Sequence, residues 1–147
     1  MQNLKPVMLV EDDSVDAMTV KRIFTELKVK NQLVHVVDGE EAINYLKNDK
    51  NKKPCVILLD LNMPKMNGIE FLRIIKADDN LMSIPVIVLT TSREDQDKID
   101  SFKLGIAGYI LKTVDYKRFA TIMEIMDMYW TLSELPGETV RQSARSH

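Results

Sequence analysis

The sequence predicts an α/β domain built on a parallel five-stranded sheet with helices on both faces. Three observations carry this. Short apolar runs recur five times, separated by stretches of helical periodicity. The run Val56 to Leu59 is apolar at every position, as a strand buried on both faces requires. It ends in Asp60, after which Asn62, Pro64, Asn67 and Gly68 break regular structure.

Taken in order, the first strand is expected over Pro6 to Glu11, around the apolar run Val7 to Val10. Ser14 or Asp13 caps the helix that follows. Its inward face is read as Val15, Met18, Ile23 and Leu27, with Lys21, Arg22 and Glu26 outside. Gln32 to Val37, more alternating, is the second strand, closed by Asp38-Gly39. Glu40 to Asn48 is a short helix turning Ala42, Ile43 and Leu46 inward, and Asn48 to Lys53 is a polar loop. Beyond the central strand, Gly68 to Ala77 is a helix with Ile69, Leu72 and Ile75 on its apolar side. Pro85 to Thr90 is the fourth strand, proline being suited to a first strand residue. Glu94 to Leu104 is a helix poor in apolar residues, capped by Gly105. Tyr109 to Leu111 is the fifth strand, ending at Lys112, and a long last helix runs from Tyr116 to about Ser133. The domain is therefore placed at 1–134, with 135–147 a polar tail expected to be disordered.

Composition narrows the function classes. With 147 residues, 45% hydrophobic and 29% charged, the chain suits one globular domain. A net charge of -2 supplies no field that would draw it to nucleic acid or to a membrane. No apolar run approaches the roughly 20 residues of a membrane helix. The one cysteine, Cys55, excludes an intrachain disulfide, is read as a small core residue, and fits a cytoplasmic location. Too few residues follow the last helix for a DNA-binding unit, so readout is expected through protein contact.

In a parallel sheet the carboxyl ends of the strands share one edge, where such folds place their ligands. The first strand brings Glu11, Asp12 and Asp13 there, the third Asp60, the fourth Thr90, Thr91 and Ser92, and the fifth Lys112. Crowded carboxylates repel unless a cation sits among them, and an incomplete set of oxygen ligands favours Mg²⁺. A carboxylate beside such an ion can attack phosphorus, with Lys112 and a threonine hydroxyl offsetting the phosphoryl oxygens. Asp13 is read as a helix starter. His35 is read as a strand residue with a satisfied ring, away from the site edge. The acidic run Glu94, Asp95, Asp97 and Asp100 is read as a solvated first turn favourable to the helix dipole.

Five ordered pieces make the chain resemble the receiver domain of two-component response regulators. They are Leu9-Val10-Glu11-Asp12-Asp13, Asp38-Gly39, Leu59 through Gly68, Val88-Leu89-Thr90-Thr91-Ser92 and Gly108-Tyr109-Ile110-Leu111-Lys112. The resemblance runs from about Pro6 to Met128 and implies a flavodoxin-like doubly wound sheet, strand order 2-1-3-4-5, with five helices. It implies that Asp60 accepts a phosphoryl group from a sensor histidine kinase. It implies that Asp12 binds Mg²⁺ directly, assisted by Glu11, with Asp60 and the main-chain carbonyl of Asn62 as further ligands. Thr90 becomes the switching hydroxyl, with Thr91 alongside it in the phosphate-binding set. Tyr109 is the aromatic that follows Thr90, Lys112 bridges to the phosphate, and Asn62 and Ser92 tune phosphate lifetime. A proline usually follows the lysine through a cis bond; this chain has Thr113, for which a cis bond would cost about 2.5–4 kcal/mol.

Other carboxylate or nucleotide chemistries fit less well. An aspartate-nucleophile phosphatase would carry Asp-x-Asp, where this chain has Asp60-Leu61-Asn62. A nucleotide- or flavin-binding module would need a glycine-rich turn where Glu11-Asp12-Asp13 stands. A docking module that never takes phosphate, or an intermediate carrier in a phosphorelay, remains the alternative within the resemblance. Three stretches look most like stand-alone receivers that partner bacterial phytochromes: Leu59 to Gly68, Ile84 to Ser92 and the aromatic end of the last helix. The last helix carries one apolar face of Phe119, Ile122, Met123, Met126 and Trp130. A second face of Ile125, Met128, Tyr129 and Leu132 predicts a homodimer. The downstream protein is not specified by the sequence.

Overall fold

The computed structural model describes residues 4–61, 63, 66–90, 93–101, 103–112 and 115–129. Its five strands are β1 (Val7–Val10), β2 (Leu33–Val36), β3 (Val56–Asp60), β4 (Val86–Thr90) and β5 (Gly108–Leu111). They pair in parallel in the order β2-β1-β3-β4-β5, the flavodoxin-like order. Between them lie α1 (Ser14–Glu26), α2 (Gly39–Lys47), α3 (Gly68–Lys76) and α4 (Arg93–Ser101). Residues 116–129 form the fifth helix, α5.

Alternation along each strand sorts the core into two layers. Met8, Val10, Ile57, Leu59, Val86 and Val88 face a layer completed by Ala42, Leu46, Phe71, Leu72, Ile75 and Ile99, so α2, α3 and α4 cover that side. Val7, Leu9, Leu58, Ile87, Leu89 and Ile110 face Ala17, Val20, Ile23, Phe24, Phe119 and Met123, which puts α1 and α5 on the other. Four helices start on side-chain caps that satisfy free amides, α5 among them, where Asp115 accepts from the Arg118 amide at 2.8 Å. Asp13 accepts from the amides of Val15 and Asp16, Asp38 from Glu41, and Asn67 from Glu70.

Some expectations need correction. On α1 the inward face is Ala17, Val20, Ile23 and Phe24, whereas Val15 and Met18 are 69% and 66% exposed. The stripe 17, 20, 24 repeats at three and four residues, and Val15 and Met18 fall off it. α4 ends at Ser101, short of Leu104, because the chain turns where Lys103 takes a left-handed φ of 54°. Gly105 also adopts a left-handed φ of 49°, but in the connection beyond that turn. Cys55 is half-buried, with its thiol 3.8 Å from the Asn31 side-chain nitrogen. On α5, Phe119 and Met123 are buried while Ile125, Met128 and Tyr129 are each more than half exposed. Trp130, Leu132 and the tail lie outside the described residues, as does the bond from Lys112 to Thr113.

Candidate functional site

The carboxyl edge of the sheet brings together residues distant in sequence. β1 ends at Val10, and Glu11 continues its ladder, its amide donating to the carbonyl of Val36 at 3.0 Å. That pairing draws the Glu11 side chain fully out of solvent. Asp12 follows and is exposed. Asp60 is the last residue of β3 and is buried. The chain then reverses tightly, with the Gly68 amide bonded to the Leu61 carbonyl at 3.0 Å. A side chain at Gly68 would place its Cβ 2.7 Å from the Leu61 Cα and 2.9 Å from the Asp60 carbonyl, so the turn needs glycine for space.

Glu11, Asp12 and Asp60 each offer a carboxylate oxygen, all within 4.8 Å of one another. Lys112, just past β5, reaches in from the opposite side. Its Nζ lies 2.7 Å from Glu11 Oε1, 2.8 Å from Asp16 Oδ2 and 3.5 Å from Asp60 Oδ1. Burial lifts the Glu11 carboxyl from its ordinary range to about 8; the adjacent Asp60 pushes the same way, and Lys112 pulls only partly back. Asp12 is raised as well, first by burial and then by the charge of Asp60. Burial alone would lower the Lys112 ammonium, but the hydrogen bond to Asp16, the contact with Glu11 and the charge of Asp60 outweigh it, and its pKa is raised.

This donor set fits a hard divalent cation. Every donor is an oxygen, carboxylates held this close repel one another once ionised, and Glu11 Oε1 is buried without a hydrogen bond of sound geometry. Its approach to Lys112 is an ion pair only. A bound cation would take that lone pair and relieve the crowding.

On the β4 side, Thr90 is fully buried and its hydroxyl donates to Asp95 Oδ2 at 2.8 Å. The Tyr109 hydroxyl donates to Asp100 Oδ1 at 2.9 Å. Burial, then Asp100, pushes the Tyr109 phenol up to about 12. Two members of the acidic run on α4 are thus acceptors for side chains of β4 and β5, which corrects the reading of that run as merely solvated. His35 needs the same correction. Its ring is satisfied, but by the carbonyl of Glu11, 2.8 Å from Nε2, so it stands at the site edge.

Of the site residues expected from sequence, Glu11, Asp12, Asp60, Thr90, Tyr109 and Lys112 are placed at or beside this edge. Asn62, Thr91 and Ser92 lie outside the described residues. Asp16 and Asp95 were missed. Asp16 stands in the first turn of the helix that follows Glu11 and Asp12, the one signal in the sequence that could have drawn attention to it.

The family described as response regulator receiver domain matches residues 7–124. Response regulator Rcp1 of Synechocystis sp. is 33% identical over 130 residues, covering 86% of this chain and 88% of Rcp1. Among solved structures, the bacteriophytochrome response regulator RtBRR is 38% identical with a TM-score of 0.73, over 84% of this chain and 77% of its own. The phosphorylated cyanobacterial phytochrome response regulator RcpA is 35% identical with a TM-score of 0.77, over 87% and 94%. The Mn²⁺-bound form of Rcp1 is 33% identical with a TM-score of 0.75, over 86% and 94%.

Proposed function

This chain belongs to the response regulator receiver family, and on that premise we propose that Asp60 accepts a phosphoryl group from the phosphohistidine of a sensor histidine kinase. The observation that carries the reading is the position of Asp60, buried at a strand end between two carboxylates and the Lys112 ammonium. A carboxylate oxygen of Asp60 bonds to phosphorus as the phosphorus–nitrogen bond breaks, and the imidazole departs with the electron pair. Glu11, Asp12 and Asp60 would hold Mg²⁺, and Asn62, outside the described residues, would add its main-chain carbonyl. When bound, the ion offsets the negative charge of the phosphoryl oxygens. Lys112 pairs with one phosphoryl oxygen, and the Thr90 hydroxyl, together with Thr91, donates to others.

Signalling follows from what Thr90 must give up. Its hydroxyl has one hydrogen, now donated to Asp95, so turning to the phosphoryl group releases α4. Tyr109, tied to the same helix through Asp100, follows as the switch aromatic. Asn62 and Ser92 tune how long the phosphate survives. Phytochrome response regulators among the relatives support a bacterial phytochrome as the kinase. Readout is by contact with a downstream protein. The exposed face Ile125, Met128 and Tyr129 makes a homodimer. Among the described residues no helix is long and apolar enough to cross a membrane, in keeping with action in the cytoplasm.

One experiment tests the core of this reading. The parent, given acetyl phosphate and Mg²⁺, should gain one phosphoryl group by intact mass. Chelator or Asp60→Asn should reduce labelling at least a hundredfold. Sedimentation of the same samples should show a dimer that Tyr129→Glu with Met128→Glu disrupts. Undiminished labelling of Asp60→Asn would overturn the assignment, and a monomeric parent at all concentrations and phosphorylation states would overturn the dimer.

A further inference from the structure

Lys112 faces three carboxylates, and they do not hold it equally. It lies closest to Glu11 and Asp16, at 2.7 and 2.8 Å, and farther from Asp60, at 3.5 Å. Its hydrogen bond goes to Asp16 Oδ2. Asp16 does not belong to the oxygen cluster of Glu11, Asp12 and Asp60. It projects from the first turn of α1, where the Asp13 cap fixes its backbone through a 3.1 Å bond to its amide. Beside the pair is a cleft of about 230 Å³ between α1 and α5, lined in part by Asp16, Thr19, Lys112, Tyr116 and Phe119. Asp60 is not among the lining residues, so the ammonium has room on the side away from it.

We infer that Asp16 is a positioning residue: it draws the Lys112 ammonium back from Asp60, keeping the oxygens of Asp60 available to a divalent cation until a phosphoryl group claims the lysine. The inference rests on the proposed phosphoacceptor site and adds how its two cations avoid each other. An ammonium and a metal ion both seek the same carboxylate oxygens. With the charge of Asp16 present, an outward position for Lys112 is matched by an opposite charge. Without it, Lys112 keeps its 2.7 Å contact with Glu11, and the nearest other carboxylate left to it is Asp60, where it competes with the metal. The Asp16 side chain is 43% exposed, so its pull is screened and moderate, as a contact that must yield on phosphorylation requires.

The test is a calorimetric Mg²⁺ titration of the unphosphorylated full chain. Asp16→Asn keeps the shape and should weaken Mg²⁺ about tenfold, the low end for an outer partner of a metal site. Asp16→Glu restores the charge and should return affinity to within about twofold of the parent. Losing an anion near the site would also weaken a cation directly, so the decisive arm uses Lys112→Ala as background. There Asp16→Asn should change affinity less than about twofold, because the lysine it positions is gone. An undiminished loss in that background would overturn the inference, as would an Asp16→Asn protein that binds Mg²⁺ like the parent or a parent that binds none. Circular dichroism keeps misfolded variants out of the comparison. A parent that binds Mg²⁺ but takes no label from acetyl phosphate would overturn the phosphoacceptor reading while the titration still decides the role of Asp16.

Discussion

The two halves of the sheet edge are built differently. On one side, β1 and β3 are buried at every position, and α3 sets Phe71, Leu72 and Ile75 against them with no exposure. On the other, β4 is buried as completely, but β5 buries fully only Ile110, and α4 contributes Ile99 as its buried apolar residue among the described side chains. The acidic cluster sits on the first half, and on the second the hydroxyls of Thr90 and Tyr109 donate to Asp95 and Asp100 of α4. Dense packing resists small displacements, whereas an element held by few apolar contacts and a few polar ones opens at low cost. Under the proposed function, chemistry that needs fixed oxygens falls on the firm half, and a response that needs movement on the α4–β5 side.

The largest test of that contrast compares two glycines. An alanine methyl at Gly68 would lie 2.6 Å from Leu61 Cδ2 and 2.7 Å from Leu61 Cα, atoms held by the β3 turn. Gly68→Ala should cost about 3 kcal/mol, since overpacked backbone cannot move aside cheaply. Gly105 lies in the α4–β5 connection with open space around it, and its only demand is a left-handed φ. Gly105→Ala should cost about 1 kcal/mol. Urea unfolding of the two variants reads the difference, and equal costs would remove the distinction.

A second test concerns charge on the firm half. Glu11 is raised from 4.5 to about 8, so between those values the folded chain holds a proton that the unfolded chain has lost. Its contribution to stability accordingly falls as pH rises through that window. Metal binding needs the carboxylate and so releases the proton. Mg²⁺ affinity should rise between pH 6 and 8, by at most about tenfold per unit, and level off above 8. Glu11→Gln should flatten the rise; an unchanged slope in that variant would assign the proton elsewhere.

Much of this was legible in the sequence for a physical reason. A strand buried on both faces must be continuously apolar, so Val56 to Leu59 declared itself, and parallel strands end on one edge, which collects Glu11, Asp60, Thr90 and Lys112. The inward face of α1 was less legible because its apolar residues surround the helix: Val15 and Met18 are as hydrophobic as Val20 and Phe24, and only packing selects between them. Side-chain partners were the least legible. Nothing in spacing says that Lys112 donates to Asp16 across 96 residues, or that Asp95 accepts from Thr90 rather than from water. The bond from His35 to the Glu11 carbonyl belongs to the same class, since it depends on the register of β1 with β2.

The smallest expected effect probes the looser half alone. A 2.8 Å bond from Thr90 to Asp95 joins β4 to the first turn of α4. A hydrogen bond to a partly solvated carboxylate contributes about 1 kcal/mol, equivalent to roughly fivefold in an opening equilibrium. Asp95→Ala should therefore speed hydrogen exchange of the later α4 amides about fivefold and leave those of α1 and α3 unchanged. Asp95 also favours the helix as an acid near its amino terminus, so its loss alone does not isolate the bond. Thr90→Val does, because it removes the hydroxyl, keeps the shape and leaves the acid in place. Both variants should loosen α4, with Thr90→Val showing most of the change. If Asp95→Ala loosens α4 and Thr90→Val does not, the dipole and not the Thr90 bond restrains the helix. If exchange rises equally in α1 and α4, the two halves open as one and the contrast fails.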